Sequence, residues 1–520
     1  MTPAALRERL LGKEEFALLD VREQGVHYKG HPFFASSLPL SKLEMMVADL
    51  VPRKSAPLVL LDGGSEGLAE RAKSKLAAFG YTDVEILEGG CAAWQATGGE
   101  LFSGVNVPSK AFGEFVEHHY GTPRIPPQEL KALKDAGRKL VILDSRPWEE
   151  YNRMNIPGGI DAPGAELVYR APDLAPGADT LVVVNCAGRT RSIIGCQSLR
   201  NAGWKDVVAL KDGTMGWELA GFTCERGSAR VAPEPSAEGK QKARAAADAV
   251  AARFQVKFAR VRQAREWLDN AARTTYLLDV RSREEFEAGH LAGARHAPGG
   301  QMVQAMDEFV AVRNSRVVLA DPERVRSVMT ASWLNQMGWD EVYVLEPGSG
   351  EWAIETGPRA AAIPGFKRWK SVRAQQFAPD EATLVDLSTS LKYRAWHVPG
   401  AWWAVRSRLA EAREKIGEAA DLVLTSEDGV LAHLAAPEAA ALWPNVRVLE
   451  GGNKAWRAAG HATESGMAKP TTALDDVWYK PYDHETGADY EKHARAYLDW
   501  EVALVEQIKR DPAIRFRTYA

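Results

Sequence analysis

The stretch LVILDSRPWEEYNRMNIPGG, residues 140–159, joins an apolar run to an aspartate and, a little later, to a turn rich in Pro and Gly. Short apolar runs of this kind are typical of strands buried on both faces, as in a parallel sheet. The layout occurs four times in the chain. Each apolar run ends in an aspartate, at Asp20, Asp144, Asp279 and Asp386. Eleven residues later come His31, Asn155, His290 and His397.

Each repeat continues with a second apolar run, a helix-like stretch and a third apolar run. The second runs end at Asp62, Cys186, Asp321 and Ser426. The third runs end at Glu88, Lys211, Glu346 and Glu450, and six residues beyond each is a tryptophan: Trp94, Trp217, Trp352 and Trp456. This order of strands and helices predicts the α/β class, in which helices flank a mostly parallel sheet. We interpret the tryptophan as an apolar anchor that packs the last helix on the sheet.

Length and composition narrow the possible functions. A chain of 520 residues predicts about three to four domains. Lys and Arg number 65 and Asp and Glu 69, a balance that gives no reason to expect a nucleic acid partner. No uncharged apolar run approaches the ~18 residues of a membrane span, and the charged N-terminal stretch does not resemble a signal peptide. The four cysteines form no C-x-x-C pair, so we expect no disulfide framework and a reducing, cytoplasmic location.

Three motifs resemble the rhodanese family. DVRSREEFEAGHLAGARHAP (279–298) is similar to the first half of a rhodanese domain, LEGGCAAW and LEGGNKAW to its closing motif, and LVVVNCAGRTRS (181–192) to its active-site strand and loop. The resemblance implies four rhodanese modules and a C-terminal helical tail. We place the modules at 1–105, 122–226, 255–360 and 365–463, a linker with a helix at 227–254 and the tail at 464–520.

The resemblance also implies an activity. Rhodaneses carry sulfur as a cysteine persulfide, so we expect a small anionic donor, either thiosulfate or an organic persulfide, and a thiol or cyanide acceptor. No cofactor and no metal are implied. The histidines of the repeats stand alone in separate modules, and we interpret them as packing residues. Arg146 with Glu150, and Arg281 with Glu285, are expected to hold strand ends.

Cys186 is the expected nucleophile, because it ends a buried strand and opens a loop that leads into a helix. Such a turn directs backbone N–H groups and the positive end of the helix into one concavity, which favours an anion or a thiolate. Arg189 and Arg191 add two cations, and the planar fork of arginine is well suited to binding two oxygens of an oxyanion. The expected substrate-binding residues are Ala187, Gly188, Arg189, Thr190, Arg191, Ser192 and Lys211. Cys91, Cys196 and Cys224 are expected to be core residues.

The other three modules are expected to be inactive. Asp62, Asp321 and Ser426 stand at the position of Cys186, and neither a carboxylate nor an unactivated serine can hold a persulfide. In the third module, Pro322 and Glu323 are expected to spoil the anion-binding loop. These modules would then position substrate, dock partners or mediate association.

Two other functions fit part of the sequence. A mostly degenerate array is also compatible with a non-catalytic scaffold that senses an anion or an oxidant at Cys186. Dual-specificity phosphatases share the loop architecture, but they resemble C-x5-R. Here Cys186 and Arg191 are spaced as C-x4-R, which favours the shorter sulfurtransferase loop.

The tail predicts one amphipathic helix. Apolar residues recur at three- and four-residue steps, at Tyr490, Ala494, Tyr497, Leu498, Val502 and Val505. Such a face must be buried, either against another repeat or against a second subunit in a homodimer. A membrane-surface role is not favoured, because acidic residues share the polar face with Lys and Arg.

Overall fold

The computed structural model describes residues 1–177, 179–346, 348, 352–484 and 487–519. It contains four five-stranded sheets, each built mainly from parallel strands and flanked by helices, as the repeated layout predicts. The predicted α/β class with four similar modules and a helical tail is therefore confirmed. Apolar runs such as Leu181–Asn185 are buried along their whole length, which explains why they read as continuous rather than alternating.

In the first module, the strand Phe16–Asp20 pairs in parallel with Leu58–Leu61 and with Ser36–Ser37. Its strands are Phe16–Asp20, Ser36–Ser37, Leu58–Leu61 and Val84–Ile86. Its helices are Pro3–Leu11, Gln24–His27, Leu43–Leu50, Leu68–Ala78 and Gly90–Ala96. The fifth strand of this sheet, Val312–Arg313, comes from the third module and pairs antiparallel with Phe16 and Ala17. The first and third modules are thus joined through one sheet.

The second module has an entirely parallel sheet. In spatial order its strands are Arg124–Ile125, Val207–Leu210, Leu181–Asn185, Leu140–Asp144 and Ile160–Asp161. Its helices are Pro127–Asp135, Trp148–Arg153, Glu166–Leu174, Thr190–Asn201 and Gly213–Leu219. The strand that ends before Cys186 lies in the centre of the sheet, so the loop after it opens at the carboxyl edge, where ligands bind in open α/β sheets.

The third and fourth modules repeat this strand order. The third module's parallel strands are Lys257–Ala259, Val342–Leu345, Arg316–Ala320, Thr275–Asp279 and Arg295–His296, and a small antiparallel pair joins His290–Leu291 to Ile354–Glu355. Its helices are Val261–Leu268, Arg283–Ala288, Gly299–Gln304, Met306–Phe309 and Val325–Gln336. The fourth module's strands are Ser371–Val372, Val446–Leu449, Leu422–Thr425, Thr383–Asp386 and Trp402–Trp403. Its helices are Ser390–Ala395, Leu409–Ile416, Val430–Ala440 and Gly452–Ala458.

Three further helices connect or cover the modules. Val107–Tyr120 follows the first module, Ala237–Arg253 forms the helix predicted in the linker, and Ala488–Ile508 is the tail helix. The tail helix packs against Val107–Tyr120 of the same chain, so its apolar face is covered within the chain. Its buried residues are Ala494, Leu498, Glu501 and Leu504. Val502, expected on the buried face, is exposed, because the buried face is centred on Leu498 and Glu501.

Three of the four repeated tryptophans pack as expected, whereas Trp352 is only partly buried and its indole N–H donates to the Ala292 carbonyl. Trp94, Trp217 and Trp456 are buried, and the indole N–H of each donates to a backbone carbonyl six residues later. Each therefore fastens the closing helix of its module to the chain that leaves it. Among the described residues, no helix is long and apolar enough to cross a bilayer.

Candidate active site

The closing helix of the second module, Gly213–Leu219, holds the loop after Cys186 in place. The backbone N–H groups of Thr214 and Met215 donate to the carbonyl oxygens of Cys186 and Ala187, at 2.9 and 3.0 Å. Gly213 has a φ of +56°, and a Cβ there would lie 2.2 Å from the Cys186 carbonyl oxygen. Only glycine allows this close approach of helix and loop.

The Cys186 side chain lies at the bottom of the loop. The residue is 2% exposed. Its Sγ is 3.4 Å from Ser192 Oγ, and the Ser192 hydroxyl donates to the Arg189 carbonyl at 2.8 Å. Ser192 therefore both closes the first turn of the helix and contacts the sulfur.

The other three cysteines lie in the packed interior. Burial raises the pKa of each of these thiols, Cys91, Cys196 and Cys224, to about 12. A thiol of this kind is a poor nucleophile at neutral pH, because the thiolate is the reactive form. The expectation that these cysteines are core residues is confirmed.

Arg191 lies near enough to Cys186 to interact with it electrostatically, and it binds Glu150. Its two terminal nitrogens donate to the two carboxylate oxygens of Glu150 at 3.0 and 2.8 Å. Although burial opposes the charged form, the Glu150 carboxylate and Cys186 hold the pKa of Arg191 above its usual value. Burial likewise opposes ionisation of Glu150, but Arg191 lowers the pKa of Glu150 to about 2. The two residues form a permanently charged pair beside the sulfur.

Arg189 does not stand free as an anion-binding cation. Its guanidinium donates to both carboxylate oxygens of Glu114 at 2.7 Å, to Glu117 at 2.6 Å and to Asp212 at 3.2 Å. Glu114 and Glu117 belong to the helix Val107–Tyr120. Because three carboxylates already occupy its donors, the side chain ties the loop to this helix. The predicted direct contact of Arg189 with an anionic donor does not fit this geometry.

The tail helix covers the outer side of the loop. A Cβ at Gly188 would lie 3.1 Å from Glu501 Oε2 and 3.3 Å from the Tyr497 ring. The Thr190 hydroxyl donates to Glu501 Oε1 at 3.1 Å, and the Tyr497 hydroxyl donates to the same oxygen at 2.9 Å. Thr190 therefore faces the tail rather than the sulfur, which differs from its predicted role in substrate binding.

Glu501 is completely buried and carries the negative charge of this contact. Lys110 Nζ lies 3.2 Å from its Oε1, so Oε1 is surrounded by an ammonium group and two hydroxyls. Its Oε2 has no hydrogen-bond partner among the described residues. Sequence reasoning missed Glu501, although its position three residues after Leu498 places it within the apolar face of the tail helix.

Ala187 contacts a second part of the tail. Its carbonyl oxygen lies 3.5 Å from the Tyr482 hydroxyl, which also shares a hydrogen bond of 2.7 Å with Thr214 Oγ1. Tyr482 belongs to the short helix Pro481–Asp483 that precedes the tail helix. The tail thus contacts the loop at Ala187, Gly188 and Thr190.

Lys211 lies at the rim of an open crevice of about 680 Å³, beside Arg189, Asp212 and Leu498. The crevice is bounded by the helix Val107–Tyr120 and the tail helix. Its lining includes Arg189 from the loop but not Cys186. Lys211 is therefore placed near the loop, at a surface where a solute can collect.

The three degenerate loops hold their own side chain in the same concavity. In the first module, the Asp62 carboxylate accepts from the backbone N–H groups of Gly64 and Ala69 at 2.8 and 3.1 Å. In the fourth, Ser426 Oγ accepts from the N–H of Ala432 at 3.3 Å. A small oxygen acceptor thus occupies the place that the sulfur has in the second module.

The third loop keeps its anion-binding geometry, and the expectation that Pro322 and Glu323 spoil it is wrong. The Asp321 carboxylate accepts from the N–H groups of Glu323 and Arg326 at 3.1 and 2.9 Å, and from the Arg326 side chain at 3.1 Å. Arg326 also binds Glu285, the counterpart of the pair between Arg191 and Glu150. Pro322 has no N–H to contribute, but the later N–H groups of the turn suffice.

Arg146 and Arg281 hold the strand ends as expected, but Glu150 and Glu285, predicted to act with them, bind Arg191 and Arg326 instead. Arg146 donates to Asp144 at 2.8 and 2.7 Å and to the Met154 carbonyl at 2.6 Å, and Arg281 binds Asp279 in the same way. The histidines have packing roles. His290 and His397 stack on Phe286 and Tyr393 with ring centroids 3.7 Å apart. These side chains fix the ends of the first strands and the turns after them.

One group in the described residues has the composition of a metal site. His484, Asp489 and His493 bring one ligand atom each within 4.8 Å of one another, at the start of the tail helix. The two imidazole rings stack with centroids 3.4 Å apart. No residue of the loop 186–192 belongs to this group.

Comparison with known proteins agrees with this architecture. A family profile described as "Rhodanese-like domain" matches residues 2–97, 126–220, 261–355 and 370–459. The crystal structure of thiosulfate sulfurtransferase from Pseudomonas aeruginosa is 45% identical and superposes with a TM-score of 0.95, covering 100% of this chain and 99% of that one.

Shorter matches occur with curated proteins. The putative sulfur carrier protein YrkF of Bacillus subtilis is 26% identical over 133 residues, which cover 24% of this chain and 71% of that protein. The HTH-type transcriptional regulator Rv0324 of Mycobacterium tuberculosis is 34% identical over 100 residues, 19% of this chain. The match spans less than half of that regulator, 43% of its length.

Fold and site together define an α/β enzyme of the sulfurtransferase class, built from four related modules of which one has a cysteine in the loop after its central strand. The chain belongs to the rhodanese-like family.

Proposed function

We propose that the protein transfers a sulfane sulfur through a persulfide on Cys186, with thiosulfate or an organic persulfide as donor. With thiosulfate, the Cys186 thiolate attacks the outer sulfur. The bond between the two sulfur atoms of thiosulfate breaks, and its electron pair leaves with sulfite. The negative charge then resides on the outer sulfur of the Cys186 persulfide, at the centre of the loop.

The second half of the reaction returns the enzyme to its starting state. An acceptor thiolate or cyanide attacks the outer sulfur of the persulfide, and the electron pair of the broken bond returns to Cys186 as a thiolate. A thiol acceptor leaves as a persulfide, and cyanide leaves as thiocyanate. Neither half-reaction needs an oxidant or a cofactor.

The observation that carries the proposal comes from the other modules, where an Asp or Ser side chain occupies the position of Cys186 in the equivalent loop. In the third module the Asp321 carboxylate accepts two backbone N–H groups and an arginine at the position of Cys186. Backbone N–H groups that converge in a turn favour an anion. The loop after Cys186 follows the equivalent strand of the second module and precedes the equivalent helix. It is therefore suited to hold a thiolate and then a persulfide anion.

The arginines have different roles in this proposal. Arg191, held by Glu150, supplies the cation near Cys186. Arg189 orders the loop through Glu114 and Glu117. Ala187, Gly188 and Ser192 shape the concavity, and Thr190 fastens it to the tail helix.

Lys211 is proposed to attract the anionic donor to the crevice beside the loop. Replacement by glutamate reverses the charge at the rim, and we expect it to raise the KM for thiosulfate while kcat changes little. Lys205→Glu is a matched control, because Lys205 is exposed and lies before the strand Val207–Leu210, at its opposite end. Equal KM values for wild type and Lys211→Glu would remove Lys211 from the site.

The first, third and fourth modules are proposed to be catalytically silent, since Asp62, Asp321 and Ser426 cannot hold a persulfide.

All four cysteines are free thiols, which supports a reducing compartment, the cytoplasm. The predicted module boundaries are likewise part of this proposal.

The donor can be identified by intact mass. The protein is reduced, incubated with thiosulfate or, in parallel, with a small-molecule persulfide, and weighed after removal of the donor. The proposal expects a gain of one sulfur atom with at least one of the two donors, and a loss of that sulfur on addition of a thiol or cyanide. No gain with either donor would refute it.

A further inference from the structure

A second cavity lies where the first module, the third module and the C-terminal end of the chain meet. Its volume is about 430 Å³, within the range of small-molecule pockets. It is lined by residues 10–13 at the end of the first helix, by Phe33 and Phe34, by parts of 306–314 and 337–340 in the third module, and by parts of 513–517 after the tail helix. No residue of the loop 186–192 belongs to this lining.

Arg313 places a positive charge in this cavity. It lies on the strand that the third module adds to the first sheet, and its guanidinium carbon is 3.5 Å from the centroid of the Phe34 ring. One terminal nitrogen donates to the Leu10 carbonyl at 3.3 Å, and Nε has no hydrogen-bond partner among the described residues. Burial lowers the pKa of Arg313 to about 10, although the nearby Asp511 carboxylate favours the charged form, so the side chain remains cationic at neutral pH.

The other charged groups of the lining leave an excess of positive charge. Arg517 is paired with Asp340 at 2.5 Å. Burial raises the pKa of Asp307 to about 7, so this carboxyl group is only partly ionised at neutral pH. Lys13 and Arg515 add two further cations. A buried charge without a full complement of partners is costly, and an anion in the cavity would remove that cost.

The remaining lining is largely apolar and aromatic. Phe33 and Phe34 meet edge to face with centroids 4.9 Å apart, and Met306, Trp339 and Phe516 complete the walls. Aromatic rings of this kind bind hydrocarbon or aromatic groups by burying their surface. The cavity therefore combines the positive charge of Arg313 with largely apolar walls.

We propose that this cavity binds a small amphipathic anion, with a single carboxylate or sulfonate on Arg313 and an apolar body against Phe33, Phe34 and Phe516. The site is separate from the sulfur-transfer chemistry, and its occupant would bridge the first module, the third module and the end of the chain.

The test uses the full chain and the dye 1-anilinonaphthalene-8-sulfonate, whose fluorescence increases in apolar surroundings. We expect saturable binding of one dye per chain, displaced by decanoate but not by decanol. Arg313→Gln should weaken dye binding at least tenfold, Arg313→Lys should retain it, and Arg262→Gln, an exposed control, should change nothing. Dye binding in Arg313→Gln equal to wild type, or equal displacement by decanol and decanoate, would overturn the proposal.

A second measurement is independent of the dye. Because Arg313 is a charge with an incomplete set of partners, Arg313→Met should raise the thermal midpoint of the unliganded protein. In wild type, decanoate should raise the midpoint, and in Arg313→Met it should not. A lower midpoint in Arg313→Met without ligand, or the same rise with decanoate in both proteins, contradicts the assignment.

Discussion

Thr190 Oγ1 donates a hydrogen bond to Glu501 Oε1 over 3.1 Å, which joins the helix that follows Cys186 to the tail helix 311 residues later. Lys110, from the helix between the first two modules, lies 3.2 Å from the same oxygen. Three separate segments thus meet at one buried carboxylate beside the loop. The loop after Cys186 in the second module is therefore completed by parts of the chain that lie outside that module.

Glu501 should be required for the stability of this contact. Glu501→Gln removes the charge that neutralises Lys110, whose side chain is only 10% exposed. Breaking one partner of a buried ion pair costs about 3 kcal/mol. We expect a lower thermal midpoint and slower sulfur uptake by Cys186. Glu506→Gln, on the exposed side of the same helix, should have almost no effect. A Glu501→Gln protein as stable as wild type would contradict the role given to this carboxylate.

Arg191 should not tolerate replacement by lysine. Its planar fork holds both oxygens of Glu150 near Cys186, and an ammonium group cannot reproduce this geometry. Loss of one charged hydrogen bond, worth about 1.5–3 kcal/mol, predicts a rate of sulfur uptake about 10- to 100-fold lower. Stopped-flow or quenched-flow mass measurements report this rate directly. Arg200→Lys, on the exposed face of the same helix, is the control, and equal rates for the two variants would disprove the prediction.

Because Asp161 is buried, the stability of the protein should fall as the pH rises. Burial, together with the Asp144 carboxylate, raises the pKa of Asp161 to about 8, whereas an unfolded aspartate titrates near 3.9. Between these values the folded protein binds more protons, so its stability from this group falls as the pH rises. Asp161→Asn should therefore be more stable than wild type at pH 7, by at least about 1.4 kcal/mol, the equivalent of one pKa unit.

The pH series supplies the control for Asp161. The advantage of Asp161→Asn should shrink as the pH is lowered and should vanish below about 3.9, where the wild-type carboxyl group becomes protonated in both the folded and the unfolded state. Asp206→Asn, at a position whose side chain is 42% exposed, is the matched control. A difference between Asp161→Asn and wild type that is constant with pH would show that ionisation of Asp161 is not the cause.

One substitution should allow the third module to take up sulfur from the donor. Asp321→Cys, in a Cys186→Ser background, places a thiol in a loop that retains the pair of Arg326 and Glu285. We expect slow uptake of one sulfur from the donor. Ser426→Cys in the same background is the matched control, because Leu431 stands where the other loop has Arg326, and we expect no uptake. Uptake by both variants, or by neither, would show that the arginine does not decide competence.

The fold was predictable because its signal is local and repeated. A buried strand, its terminal Asp and the closing Trp recur in each module, and each lies within one module's own sequence. The strand Val312–Arg313 was not predictable, since two residues carry no periodic pattern and its partner is the first module.

The candidate site was predictable only in part. Cys186 and Arg191 stand in a recognisable loop, but the partners of Arg189 lie about 70 residues earlier on a helix with no motif. Glu501 interrupts an apolar helix face by a single residue, and only its contact with Thr190 reveals its place. Contacts between distant segments of this kind leave no local pattern, because they depend on how the modules pack.

The central claim is that Cys186 alone carries the transferred sulfur, and peptide mass mapping tests it most directly. The reduced protein is loaded with the donor, the free thiols are alkylated without reduction, and the protein is digested so that each cysteine falls in its own peptide. We predict one added sulfur atom on the Cys186 peptide, none on the peptides of Cys91, Cys196 and Cys224, and none anywhere in Cys186→Ser. Added sulfur on another cysteine, or on a Cys186→Ser protein, would contradict the account.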